Sequence, residues 1–149
     1  MSDSTQDSHE PIRFATAQEA ETAFYAAFQR ADLDAMQAVW LAADYVECIH
    51  PMGERLRGIE AVMAGWRRIL EPGPVMSFEL ADVGYTQSGT LSIHTVTENI
   101  TLRQGDQHLH SRVLATNIYV LTQAGWRLML HHASPMPNRE PEASPAVVH

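Results

Sequence analysis

The chain has no lysine: all ten of its basic residues are arginine. That excludes Schiff-base chemistry and any mechanism built on a lysine base. Its single cysteine, Cys48, excludes an intramolecular disulfide and a thiolate zinc cage. No apolar run approaches the ~20 residues that a membrane span requires. Basic charge is scarce, and the formal net charge of −8 repels phosphate backbones and anionic lipid, so neither nucleic acid nor membrane is an expected partner. The opening residues MSDSTQDSHEPIR have neither a basic nor an apolar stretch, so no signal peptide is expected and the expected location is cytoplasmic. There is no glycine-rich phosphate loop, serine nucleophile elbow, dinucleotide fingerprint or internal repeat.

What is present is ordinary soluble-protein composition, 45% hydrophobic and 19% charged over 149 residues, enough for one domain with a real core. Thr16-Ala17-Gln18-Glu19 forms a capping box and predicts a helix with Ala20, Phe24, Ala27, Phe28 and Ala31 at helical spacing. Asp32 predicts the cap of a second helix that buries Leu33, Met36, Val39 and Trp40. Tyr45–His50 reads as a short strand stopped by Pro51. Gly58–Leu70 predicts a third helix, buried through Ile59, Val62, Met63, Trp66, Ile69 and Leu70 and ended by Pro72-Gly73-Pro74. Strand alternation begins at Val75 and continues through Leu91–Leu102 and His108–Leu121.

The last strands organise the rest. RVLATNIYVLTQAGWRLMLHHASP, Arg112 to Pro135, holds two apolar runs around a turn at Thr122–Gly125, the signature of a β-hairpin. Uninterrupted alternation puts Val113, Ala115, Asn117, Tyr119 and Leu121 on one face of the first arm. On the second arm it groups Trp126, Leu128, Leu130, His132 and Ser134. Three helices followed by long consecutive strands imply an α+β domain with helices packed on a curved antiparallel sheet.

ATN-I-Y-x-x-T-x-x-GW-R-x-x-x-HHASP, together with IHPMGERLRGIEAVMAGWRRIL upstream, resembles the SnoaL-like group of the nuclear transport factor 2-like superfamily. The resemblance covers roughly residues 14 to 136, leaving an expected flexible arm at 1–13 and a proline-rich tail at 137–149. It implies a cone-shaped pocket between sheet and helices. It also places Glu98, Asn117 and His132 at inward strand positions, His50 at the rim, and Trp66 and Tyr119 as apolar walls; Phe28 and Trp40, core by their helical spacing, are further candidates to wall a cavity. Glu98 buried would carry a raised pKa and act as acid or base with His132 as complement, while Asn117 offers an amide to a developing oxyanion.

For each residue a plainer role stays open: Glu98 paired at the surface, His50 a surface histidine, the aromatics simply core. No match is evident to the aspartate–tyrosine–aspartate set of ketosteroid isomerase, nor to an Asp–Arg–Asp set for epoxide hydrolysis. His131 and His132, as strand neighbours, cannot chelate one ion together, and no metal or other cofactor is expected. The expected function is a cofactor-independent isomerase, cyclase, dehydratase or hydrolase acting on a hydrophobic small molecule. The alternative is a non-catalytic ligand-binding or oligomerisation module. A homodimer is expected through the sheet's outer face, where Leu91, Ile93, Leu114, Ile118 and Val120 make the surface unusually apolar.

Overall fold

A computed structural model describes residues 12–137, so the expected arm up to residue 11 and the tail from residue 138 lie outside it. Helix α1 (Ala17–Gln29) starts where the capping box requires. The Glu19 N–H donates to Thr16 Oγ1 at 3.0 Å, and Glu19 Oε1 reaches back to the Ala15 N–H at 2.8 Å. Asp32 caps α2 (Leu33–Val39), accepting from the Ala35 N–H at 3.0 Å. Strands β1 (Glu47–Ile49) and β2 (Arg55–Arg57) form a short antiparallel pair; the second of them was not expected. Helix α3 (Ile59–Leu70) buries Val62, Met63, Trp66 and Leu70. Then come β3 (Val75–Ser88), β4 (Leu91–Gln104), β5 (Gln107–Thr122) and β6 (Gly125–Pro135). No helix among the described residues is long and apolar enough to cross a membrane.

The three helices pack with one six-stranded open sheet of order β2-β1-β6-β5-β4-β3. The sheet is mixed rather than wholly antiparallel, because β1 pairs in parallel with β6. The chain leaves β1 through the β2 hairpin, α3 and a three-strand meander, and re-enters beside β1 pointing the same way. Between helices and sheet the aromatic side chains of Phe24, Phe28, Trp66 and Phe78 stack edge to face or tilted, with ring centroids 4.3 to 6.0 Å apart.

Two irregularities set which residues face that interior. Pairing slips between Ala81 and Gly84 on β3, and between Ile118 and Tyr119 on β5, opposite Met129. A β-bulge of this kind adds one residue to one strand, and every side chain beyond it changes face.

Candidate functional site

The register lines up one residue from every strand. Leu56, Cys48, His131, Asn117, His94 and Tyr85 are successive cross-strand partners from β2 to β3. Directly paired residues share a face, so this row runs across the inner surface of the sheet. Helix α1 lies over it and contributes Glu21 and Tyr25, one turn apart on its buried stripe.

Four buried side chains join in a line. His131 Nδ1 lies 2.6 Å from Asn117 Oδ1, Asn117 Nδ2 donates to Tyr25 Oη at 2.9 Å, and Tyr25 donates to Glu98 Oε2 at 2.6 Å. An amide oxygen only accepts, so His131 carries its proton on Nδ1 and presents Nε2 as a lone pair. The ends are displaced in opposite senses. Burial raises the Glu98 carboxyl to about 7, against the pull of the Tyr25 hydrogen bond. Burial, then the neighbouring His50 and His132, lowers the His131 imidazole to about 3. Tyr25 is held well above the usual phenol range by burial and by Glu98 beside it.

The His131 end lies behind a cleft. His50 sits with its ring centroid 6.0 Å from that of His131 and 4.6 Å from that of Trp66. It lines a cavity of about 300 Å³ with Gly53, Glu54, Leu56, Gly65, Arg68 and Ile69. Burial, then the Arg68 charge, lowers His50 to about 4, so it is neutral at neutral pH. Cys48 Sγ stands 3.4 Å from His50 Nε2, and burial pushes its thiol up, so Cys48 is an S–H neighbour rather than a nucleophile.

A second buried network occupies the other half of the row. Glu21 Oε2 lies 3.2 Å from His94 Nδ1, Ser92 Oγ 3.0 Å from His94 Nε2, and Tyr85 donates to Glu21 Oε1 at 2.9 Å. The Tyr85 ring covers His94 at 4.4 Å. Ser92, His94 and Glu21 are 1%, 0% and 5% exposed, and the half-exposed Tyr85 covers them.

Glu98 and Asn117 therefore face inward as expected, and His50 stands at the rim of a cleft. His132 does not face inward: it is exposed, and His131 takes the interior position. The reason is the bulge. Without it Ala115 would oppose His132; the extra residue at Met129 makes Asn117 oppose His131 instead. Trp66, Tyr119, Trp40 and Phe28 are all core residues. Trp66 backs His50, and Phe28 packs on Trp66 and Phe78. Tyr119 lies against His94, its hydroxyl without a partner among the described residues, and Trp40 bridges to Leu128.

The sequence reading passed over Tyr25 and Glu21. Their signal was present: spaced four apart, they flank Phe24 on the buried stripe of α1. Among the described residues no group of three or more His, Cys, Asp or Glu is placed to hold a metal ion.

Comparison with known proteins places this geometry. The family model described as a SnoaL-like domain matches residues 18–139. A Thiobacillus denitrificans structure, provisionally named a calcium/calmodulin-dependent protein kinase type II association domain, is similar at 39% identity and a TM-score of 0.73. The match covers 86% of this chain and 100% of that one. A provisional dehydratase of the NTF2-like family from Streptomyces avermitilis is similar at 33% identity and a TM-score of 0.76, over 82% of this chain and 94% of that one. The F-box protein SKIP8 of Arabidopsis thaliana is 26% identical over 115 residues, 77% of this chain and 47% of that protein. The chain thus spans about half the length of that relative.

Proposed function

The chain belongs to the SnoaL-like domain family, and from that premise we propose that it binds a hydrophobic, carbonyl-bearing small molecule and performs cofactor-independent acid–base chemistry on it. The ligand enters at the His50 cleft. The observation that carries this reading is the buried line Glu98–Tyr25–Asn117–His131. Its two titratable ends have been pushed apart, one carboxyl up to about 7 and one imidazole down to about 3. Paired groups whose environments separate their pKa values in this way are suited to opposite acid and base roles.

In this reading Glu98 exchanges a proton near neutral pH, and Tyr25 is the hydroxyl donor beside it. His131 offers a neutral Nε2 to the ligand behind His50. Asn117 is a positioning residue that fixes the His131 tautomer and holds Tyr25 by its oxygen. A general acid or base contributes typically about 10²- to 10⁴-fold.

Exchange of deuterium from heavy water into a panel of enolisable ketones, followed by NMR, tests the reading. The expected result is exchange whose rate titrates near the Glu98 pKa, and which Glu98→Gln and His131→Asn each lower by about 100-fold or more. His132→Asn should leave it unchanged. Exchange that survives Glu98→Gln would remove Glu98 from the chemistry, and no exchange above the buffer rate would favour the non-catalytic ligand-binding reading.

We also propose a homodimer through the sheet's outer face. Leu91, Ile93 and Leu114 are 39%, 38% and 46% exposed there. Leu91 pairs with Val120 and Ile93 with Ile118, which makes the patch continuous. The name of the Thiobacillus relative, an association domain, favours the same view. Sedimentation of a 16.6 kDa species at micromolar concentration would count against it.

A further inference from the structure

The arginines around α3 are not equivalent once their partners are known. Arg55 and Arg57 both bind Glu47, through Nε–carboxylate contacts of 3.0 and 3.1 Å, and Arg67 pairs with Glu71 at 3.9 Å. Arg68 makes no ion pair among the described residues, and it lines the His50 cleft. Its charge is felt at His50, where it adds to the lowering caused by burial.

Gly65 explains how these groups come together. A Cβ there would fall 2.5 Å from Leu56 Cδ1 and push that side chain aside, so glycine lets Leu56 of β2 pack directly on α3 at this point. The same position lies 3.8 Å from His50 Nε2 and 3.9 Å from Arg68 Nη2. A guanidinium and an imidazole thus converge beside an apolar wall of Leu56 and Ile69, in a cavity of about 300 Å³. That volume is at the small end of the roughly 300–1,000 Å³ seen for ligand pockets.

We propose that the His50 cleft binds a small organic monoanion, a carboxylate, with Arg68 pairing the negative group and Leu56 and Ile69 holding the apolar body beside His50. Guanidinium and carboxylate match as planar, bidentate partners. Glu54 also lines the cleft. With a single guanidinium and the Glu54 carboxylate both in the lining, Glu54 repels a monoanion less than the double charge of a phosphate monoester. The inference deepens the functional reading above, resting on the cleft as the ligand's entrance, and names the substrate class. It also makes His50 a reporter: an anion beside it offsets the Arg68 share of the lowering, while burial, the larger cause, keeps the imidazole neutral.

Calorimetric titration of the full chain with benzoate, its neutral isostere benzamide and the dianion phenyl phosphate tests this, with the His50 Cε1–H NMR signal as a local readout. Benzoate should bind about tenfold or more tightly than benzamide, the worth of one charge-assisted contact, and should shift the His50 signal. Arg68→Gln should erase that preference, bringing benzoate and benzamide to equal affinity. Arg67→Gln should preserve the preference.

Equal affinity for benzoate and benzamide, no binding of either, an unmoved His50 signal, or an unaffected Arg68→Gln variant would each overturn the proposal. A preference for phenyl phosphate would overturn the monoanion assignment. Because binding alone is read, failure of the ketone-exchange chemistry would leave a charge-selective cleft standing. Loss of charge selectivity would leave the role of Glu98 untouched.

Discussion

The two polar networks on the sheet's inner face are built alike and placed differently. Each joins a residue of α1 to a histidine and other polar side chains of the sheet, and the histidines, His94 and His131, flank Asn117 in the same cross-strand row. In the first network Glu21, His94, Ser92 and Tyr85 satisfy one another, with Tyr85 as cover. In the second, the line from Glu98 runs to His131 and stops 6.0 Å from an imidazole that borders a cleft. Burying polar groups is costly in both places unless they are paired. Burial and pairing therefore do not distinguish a buttress from a site; proximity to a cleft does.

The strongest test of that contrast is Glu21→Ala. It leaves His94 Nδ1 without its partner inside the core and should cost roughly 3–4 kcal/mol in urea denaturation. If Glu21 belongs only to a buttress, ketone exchange per folded molecule should be unchanged; a loss of exchange would merge the two networks into one site.

Glu98→Gln comes next, and its sign follows from linkage. The Glu98 carboxyl titrates near 4.5 when unfolded and about 7 when folded, so between those values the folded state holds the extra proton. Its stabilising contribution is full below about 4.5 and is lost as pH rises through about 7. Wild type should lose about 3 kcal/mol relative to Glu98→Gln across that window, the worth of the shift at about 1.4 kcal/mol per unit. His131 and His50, lowered to about 3 and 4, act in the opposite direction but are common to both proteins. Parallel stability curves would mean that Glu98 is not desolvated.

Tyr25→Phe should cost about 1–2 kcal/mol, because it strips one hydrogen bond from Glu98 and leaves Asn117 Nδ2 unpaired. Since that hydroxyl opposes the rise of the Glu98 pKa, carbon-detected NMR should show the Glu98 carboxyl titrating higher still. The smallest effect belongs to His132→Ala, expected within about 0.5 kcal/mol for an exposed position. His131→Ala should instead cost about 2 kcal/mol, having left Asn117 Oδ1 unsatisfied in the core. The reverse order would place the bulge elsewhere.

Much of this architecture was legible along the chain, because local signals act over a few residues. The capping box at Thr16, the Asp32 cap, the apolar stripe of Ile59–Leu70 and the alternation of Leu91–Leu102 each depend on side-chain spacing alone. Ser92, His94, Val96 and Glu98 share the inner face as that alternation predicts. The site was legible only in part. Asn117 and Glu98 lie on stretches where alternation holds, and they were found. Tyr25 was missed because a tyrosine on an aromatic stripe reads as core until a carboxylate from residue 98 arrives above it.

Spacing, composition and motif were sufficient for three helices, the meander of long strands and the exclusion of lysine, disulfide and thiolate-metal chemistry, since these are properties of which atoms the chain carries and at what period. The choice between His131 and His132 was not of that kind. It depends on one extra residue at Met129, and a bulge is a compromise among hairpin turn, parallel pairing with β1 and packing against α1 that exists only when all are assembled. The isolation of Arg68 was likewise decided in three dimensions: Arg67 and Glu71 are four apart along one helix, but only folding gives Glu47 to Arg55 and Arg57 and brings Arg68 to the cleft.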